Sequence, residues 1–178
     1  ELRKQLSKRG VKFKLGTSIT SVDKEKKTVT FSDDSVEEFD SVLISIGRSP
    51  LTDNIGLDEV GVERNHGFVK VSLDSFQTSV SNIYAAGDIV EGTPQLAHVG
   101  FAEGIAAITH IATGEKADIN YDAIPYVVYT SPELAEVGIN AENAKEKDIK
   151  ISNAQHSFVG LGRAIIQNDN NGVVKVFY

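Results

Sequence analysis

The segment Asn82-Ile-Tyr-Ala-Ala-Gly-Asp88 constrains the fold more than any other part of the chain. A short apolar run ends in a Gly-Asp pair, crosses a turn-rich connection and enters a stretch with helical periodicity. From Leu96 to Thr113 the apolar residues fall at 97, 101, 105, 108 and 112, the three-to-four spacing of one helix face, and Gly114 supplies a C-terminal stop. Small residues, Ala97, Gly100, Gly104 and Ala107, line the helix, so that side can lie very close to a sheet or a ligand. A strand that runs through Gly-Asp into such a helix is the unit of an α/β sheet, and ligands of these sheets bind beyond the carboxyl ends of their strands.

The chemistry at that strand end is specific. Gly87 removes the side chain that would hold a ligand off the backbone. Asp88, when ionised, only accepts hydrogen bonds and so suits a hydroxyl-rich partner such as a ribose or a ribityl chain. The first turn of the following helix, around Gln95-Leu96-Ala97-His98, presents free N–H groups and a partial positive charge that favours an anion. Gly-Asp is also a common turn pair, and these two residues by themselves are equally served by an ordinary turn.

Around this unit the sequence alternates between sheet and turn. Glu1 to Gly10 reads as the last turns of a helix stopped at Gly10, which places the start of the chain in mid-fold. Val11, Phe13 and Leu15 alternate with lysines, the pattern of a half-buried strand. Residues 26–39, with Val29 and Phe31 at period two and a Ser-Asp-Asp-Ser turn, predict a small antiparallel meander. Val42 to Ile46, apolar on both faces and ended by Gly47, predicts a strand buried within an α/β sheet. Residues 68–80 predict a strand pair, 124–130 a strand, and 140–148 a helix with Asn140 at its N-cap. Lys150 to Phe158, Gly162 to Asp169 and Gly172 to Tyr178 predict strands of an antiparallel sheet that runs to the last residue.

Composition excludes several function classes. With 40% hydrophobic residues and 24% charged, the 178-residue chain is globular rather than disordered. A formal net charge of -7 and no basic stripe argue against nucleic acid. No apolar run approaches the ~18 residues of a membrane span and no basic-then-apolar leader is present, so a cytoplasmic setting is expected. The absence of cysteine removes disulfides, thiolate metal sites and thiol catalysis from these residues, and the four scattered histidines predict no metal site.

The motifs acquire a common meaning through a resemblance. Residues 78–88 followed by 93–104 resemble the second FAD-binding motif of the pyridine nucleotide-disulfide oxidoreductases, and the Gln95-Leu96-Ala97-His98 form is most similar to the dihydrolipoamide dehydrogenase branch. Residues 41–57 resemble the strand and Gly-Arg-x-Pro turn that close the family's NAD-binding domain. Residues 124–138 resemble the opening of its dimerisation domain, and 162–176 the hairpin that follows.

The resemblance implies a fold of α/β and α+β class: remnants of Rossmann-like NAD-binding (residues 1–47) and FAD-binding (48–118) domains, then part of an antiparallel-sheet dimerisation domain (119–178). It implies FAD and NAD as cofactors. Asp88 would accept from the ribityl hydroxyls, Gly87 would give room, and Gln95, Leu96, Ala97 and His98 would lie beneath the flavin ring. Gly47 would let the nicotinamide nucleotide approach, and Ile19 would lie near its adenosine half or pack as core. Tyr129, Pro132 and Glu133 would belong to a homodimer interface or to the domain core, and a 2-oxo acid dehydrogenase complex would be a further partner.

Absences mark the departure from the family. The first FAD loop, the redox-active cysteine pair, the Gly-rich NAD loop and the C-terminal His-Glu pair have no counterpart, so catalytic residues are expected upstream and none within this segment. Gly160-Leu-Gly-Arg-Ala-Ile165 begins like a dinucleotide loop, but it lacks the third glycine and predicts a turn between antiparallel strands with no helix after it. The segment alone is expected to be inactive. Rival readings are a glutathione reductase, mercuric reductase or soluble transhydrogenase relative, and a non-catalytic association module.

Overall fold

The computed structural model describes all of residues 1–178. In chain order it contains α1 (Leu2–Lys8), β1 (Ile19–Asp23), β2 (Thr28–Phe31), β3 (Val36–Glu38), β4 (Arg64–Asn65), β5 (Phe68–Val69), α2 (Ala97–Thr113), β6 (Tyr126–Val128), β7 (Leu134–Glu136), α3 (Ala141–Glu146), β8 (Asn153–Ser157), α4 (Gly162–Ile166) and β9 (Val173–Phe177). The chain divides into two compact units: Glu1–Gly47 with Val128–Leu134 and Gln155–Val174, and Arg48–Val127 with Ala135–Ala154 and Lys175–Tyr178.

The first unit is built on the expected meander. β1, β2 and β3 pair antiparallel in sequence order, with Val22 opposite Val29 and Thr30 opposite Val36. Val29 is its buried centre. The β2–β3 turn is held by Asp33, whose carboxylate accepts from the Ser35 N–H at 3.1 Å and hydroxyl at 2.6 Å and pairs with the Lys14 ammonium at 3.0 Å. α1 stops where expected, with Gly10 at φ +90° and its N–H on the Ser7 carbonyl.

Three expectations fail here for one reason. Val11 to Leu15 form no strand, and the first strand begins at Ile19. Val42 to Ile46 form none either, and Leu43 and Ile46 are 91% and 93% exposed. A buried parallel strand is stabilised by ladders on both edges, and neither stretch is hydrogen-bonded into a sheet. Residues 162–169, expected as a strand, instead close into α4, with Ile165 N–H on the Leu161 carbonyl and Gln167 N–H on that of Arg163. With no third strand to join, the local preference of Arg and Ala for helix prevails. Gly160 to Ile165 thus does lead into a helix, contrary to expectation, although it lies between β8 and β9 as foreseen.

The second unit has its core around Val62, Val69, Phe76, Val90, Val99 and Ala107, all buried. Of the strand pair expected over 68–80 only β5 forms: it makes a short hairpin with β4, which precedes that range, and Gln77 makes a single antiparallel bridge to Tyr84. The segment 83–91 fits between these pieces. Ala85 N–H bonds the Phe76 carbonyl, Val69 N–H bonds that of Ile89, and Glu91 N–H bonds that of Val69. Bridges rather than a long ladder carry it to Gly87-Asp88.

The helix over 97–113 forms as expected, with Gly114 in the left-handed C-cap at φ +75°. Its buried residues are Val99, Glu103 and Ala107, whereas Phe101, Ile105 and Ile108 are exposed. α3 is capped by Asn140, whose side-chain oxygen accepts from the N–H groups of Glu142 and Asn143 at 3.0 Å each. β6 pairs with β7, and β8 with β9.

The β2–β3 turn gives a pH-dependent prediction. The Ser35 hydroxyl, then Lys14, hold the Asp33 carboxyl down from 3.8 to about 2. A depressed carboxyl contributes stability that is complete above its unfolded value and lost as pH falls through the folded one. The denaturation midpoint of the protein should therefore exceed that of Asp33→Asn above about pH 4, with the difference vanishing towards pH 2. Urea titrations across that window measure it.

Candidate functional site

The site lies where residues 83–88 meet the amino end of α2. Gly87 adopts φ +82°, a conformation that favours glycine. Its α-carbon lies so near Gly100 of α2 that a methyl group built on Gly100 would sit 3.1 Å from it. Two glycines, one at the end of the bridged segment and one on the helix, let the backbones approach this closely. The small-residue side of the helix is thus the side that packs.

Asp88 follows at once and is neither interior nor free. Its side chain is 37% exposed, and Oδ2 pairs with the Arg48 guanidinium at 3.2 Å. Its backbone carbonyl accepts from Gln95 Nε2 at 3.2 Å, which fastens the strand end to the residue just ahead of the helix N-cap, Leu96. Gln95 and Leu96 are half-buried, and Ala97 and His98 are exposed. Leu96 receives no side-chain cap, the first turn carries no acidic residue, and the Leu96 carbonyl takes the N–H groups of Val99 and Gly100. The Ala97 and His98 N–H groups, the usual orphans of a helix start, therefore have no protein acceptor. In the intervening loop, Thr93 Oγ1 is buried without a partner.

A hydroxyl-bearing anionic ligand fits these features. The half-exposed carboxylate is an acceptor for hydroxyls, the uncapped helix end attracts negative charge, and the two glycines leave the backbone bare. Six of the residues singled out from sequence, Gly87, Asp88, Gln95, Leu96, Ala97 and His98, come together here. The other two belong to the other unit. Gly47 lies at φ +138° with open space where a side chain would be, and Ile19, half exposed, opens β1 opposite Phe31. Tyr129 is 84% exposed, and the Thr130 hydroxyl donates to the Pro132 carbonyl.

Sequence reasoning missed Glu103. Its side chain is fully buried on α2, with Oε2 accepting from the Gly87 N–H at 2.6 Å and Oε1 from the Tyr121 hydroxyl at 3.0 Å. A carboxyl among small residues on a helix reads as a solvent-facing position, and only its place three residues after Gly100 hinted at the packed side. Arg48, the partner of Asp88, was visible only as part of the Gly-Arg turn.

Sequence comparison places the chain in a family. The pyridine nucleotide-disulphide oxidoreductase profile matches residues 1–104, and the profile of that family's dimerisation domain matches residues 124–178. The chain belongs to the pyridine nucleotide-disulphide oxidoreductases. Among curated members of the family, dihydrolipoyl dehydrogenase of Chlamydia muridarum is 37% identical over 173 residues, covering 97% of this chain and 37% of that protein. The Bacillus subtilis dihydrolipoyl dehydrogenase is 44% identical over 153 residues, 84% of this chain and 32% of the relative. Leghemoglobin reductase of Glycine max is 37% identical over 99% of this chain and 35% of its own length. The chain thus spans about a third of the length of these relatives. In structure it superposes on LpdA from Mycobacterium tuberculosis with a TM-score of 0.85 and 28% identity, over 99% of this chain and 39% of that one.

Tyr121 supplies the prediction of this subsection. Burial first, and the bond to Glu103 second, push its phenol well above the ordinary value of 10.0. The neutral hydroxyl therefore stabilises the fold fully below the ordinary phenol range, and that contribution is lost only as pH rises through the shifted value. In an ultraviolet titration through about pH 10, Tyr121→Phe should leave the tyrosinate amplitude unchanged. A fall of one part in five, the share of one of the five tyrosines, would contradict it.

Proposed function

We propose that the chain forms the ribityl-binding and helix-dipole side of the flavin site in an FAD-dependent dithiol oxidoreductase of the dihydrolipoyl dehydrogenase type. The observation that carries this reading is the half-exposed Asp88 carboxylate, held by its own backbone to the amino end of α2. The curated relatives at 37–44% identity named dihydrolipoyl dehydrogenase support the substrate class.

The residues divide the work of holding the cofactor. Asp88 accepts hydrogen bonds from ribityl hydroxyls, a role in which Arg48 shares the carboxylate. The uncapped first turn, Ala97 and His98, lies under the flavin ring and favours negative charge on it. Gly47 leaves space for the nicotinamide nucleotide, and Ile19 packs beside its adenosine half. FAD, when bound, takes two electrons from a dithiol and passes them to NAD.

The chain has no cysteine, so residues 1–178 alone provide no thiol pair and oxidise no dithiol. Residues 124–178 pair two copies into a homodimer, in keeping with the dimerisation profile they match. A 2-oxo acid dehydrogenase complex is the partner that a dihydrolipoyl substrate implies.

FAD titrated against the polypeptide expressed from its own complete gene should bind saturably. Asp88→Ala should weaken it roughly 10- to 100-fold, the loss expected when a hydrogen bond to a charged acceptor is removed. Colourless protein with no saturable FAD binding, or an unchanged affinity in Asp88→Ala, would contradict the reading.

A further inference from the structure

Glu103 is a fully buried carboxyl group that the proposed function leaves unused. Both of its oxygens are occupied, by the Gly87 N–H at 2.6 Å and the Tyr121 hydroxyl at 3.0 Å. The first of these donors is the N–H of the residue directly before Asp88, held at φ +82°. The second belongs to the short 3-10 turn Tyr121–Ala123, which ends one residue before the matched dimerisation region begins at residue 124.

We propose that Glu103 is the positioning residue of the flavin site: it fixes the Gly87 peptide and with it the direction of Asp88, and through Tyr121 it ties that setting to the entrance of the dimerisation region. The inference rests on the reading that Asp88 receives the ribityl chain. The Gly87 N–H is part-buried and meets the fully buried Glu103 carboxyl, so that acceptor decides where the peptide sits. The close approach of Gly87 and Gly100 fixes the distance between strand end and helix but not the rotation of the peptide, and Glu103 supplies the missing constraint.

The chemistry also defines a rescue. In Glu103→Gln the amide oxygen can accept from Gly87 while the amide nitrogen donates to the Tyr121 hydroxyl, which accepts as readily as it donates. In Glu103→Leu, of similar size, Gly87 loses its acceptor.

FAD affinity of the complete gene product, measured by flavin fluorescence, tests this in two backgrounds, with Asp88 intact and with Asp88→Ala. With Asp88 intact, Glu103→Leu should weaken FAD roughly 5- to 100-fold and Glu103→Gln no more than about threefold. In Asp88→Ala, Glu103→Leu should cost less than about twofold more, because a residue acting through Asp88 is not additive with its loss. Tyr121→Phe, which keeps the ring, should show the same background dependence with a smaller loss, and it carries the test if Glu103→Leu does not fold. Equal losses in both backgrounds, or none in the first, would overturn the positioning role while the flavin site stands. An Asp88→Ala protein that binds FAD like the wild type would overturn both.

Discussion

The hydrogen bond from the Gly87 N–H to the buried Glu103 carboxyl organises this end of the molecule. A helix can pack on a strand end at backbone distance only where both surfaces lack side chains, which Gly87 and Gly100 provide. Such an approach takes the Gly87 N–H partly out of water, and a buried donor left unpaired costs about 1–3 kcal/mol. Glu103, one turn along α2, removes that cost. Gly87, Gly100 and Glu103 are therefore one device: the glycines create the contact and the carboxyl satisfies it.

The device explains which face of α2 is buried. The row Phe101, Ile105, Ile108 is the more hydrophobic, yet it is the row left exposed. The packed side carries Val99, Glu103 and Ala107 beside Gly100, where the approach of Gly87 leaves no room for a side chain. The same arrangement leaves the amino end of the helix open, with Gln95 fastening it to the Asp88 carbonyl and no side chain capping it. An uncapped helix start beside an acceptor carboxylate is the electrostatic pattern on which the proposed flavin site depends.

Local signals in the sequence translated into structure where the determinants were local. The 97–113 helix and its Gly114 cap, the Asn140 cap, the β1–β2–β3 meander and the stop at Gly10 all rest on contacts within a few residues or between adjacent strands. Val42 to Ile46 and residues 162–169 were misread because strand character depends on neighbours, and neither stretch is hydrogen-bonded into a sheet. The cluster Gly87, Asp88, Gln95 to His98 was legible because glycine and a following helix start have one steric meaning. Glu103 was not legible, since its role is set by Tyr121 and Gly87, eighteen and sixteen residues away in sequence.

Arg48 marks the competition at the site. Its guanidinium holds one oxygen of Asp88 while remaining 74% exposed, a weak partner that solvent screens and that a ribityl hydroxyl can share or displace. The central claim is that this carboxylate exists to receive a sugar-alcohol chain. A crystal structure of the complete gene product grown with FAD tests it most directly. The account predicts an Asp88 carboxylate oxygen about 2.5–3.0 Å from a ribityl hydroxyl, with the isoalloxazine over the first turn of α2. A flavin bound elsewhere, with Asp88 still engaged only by Arg48, would contradict it.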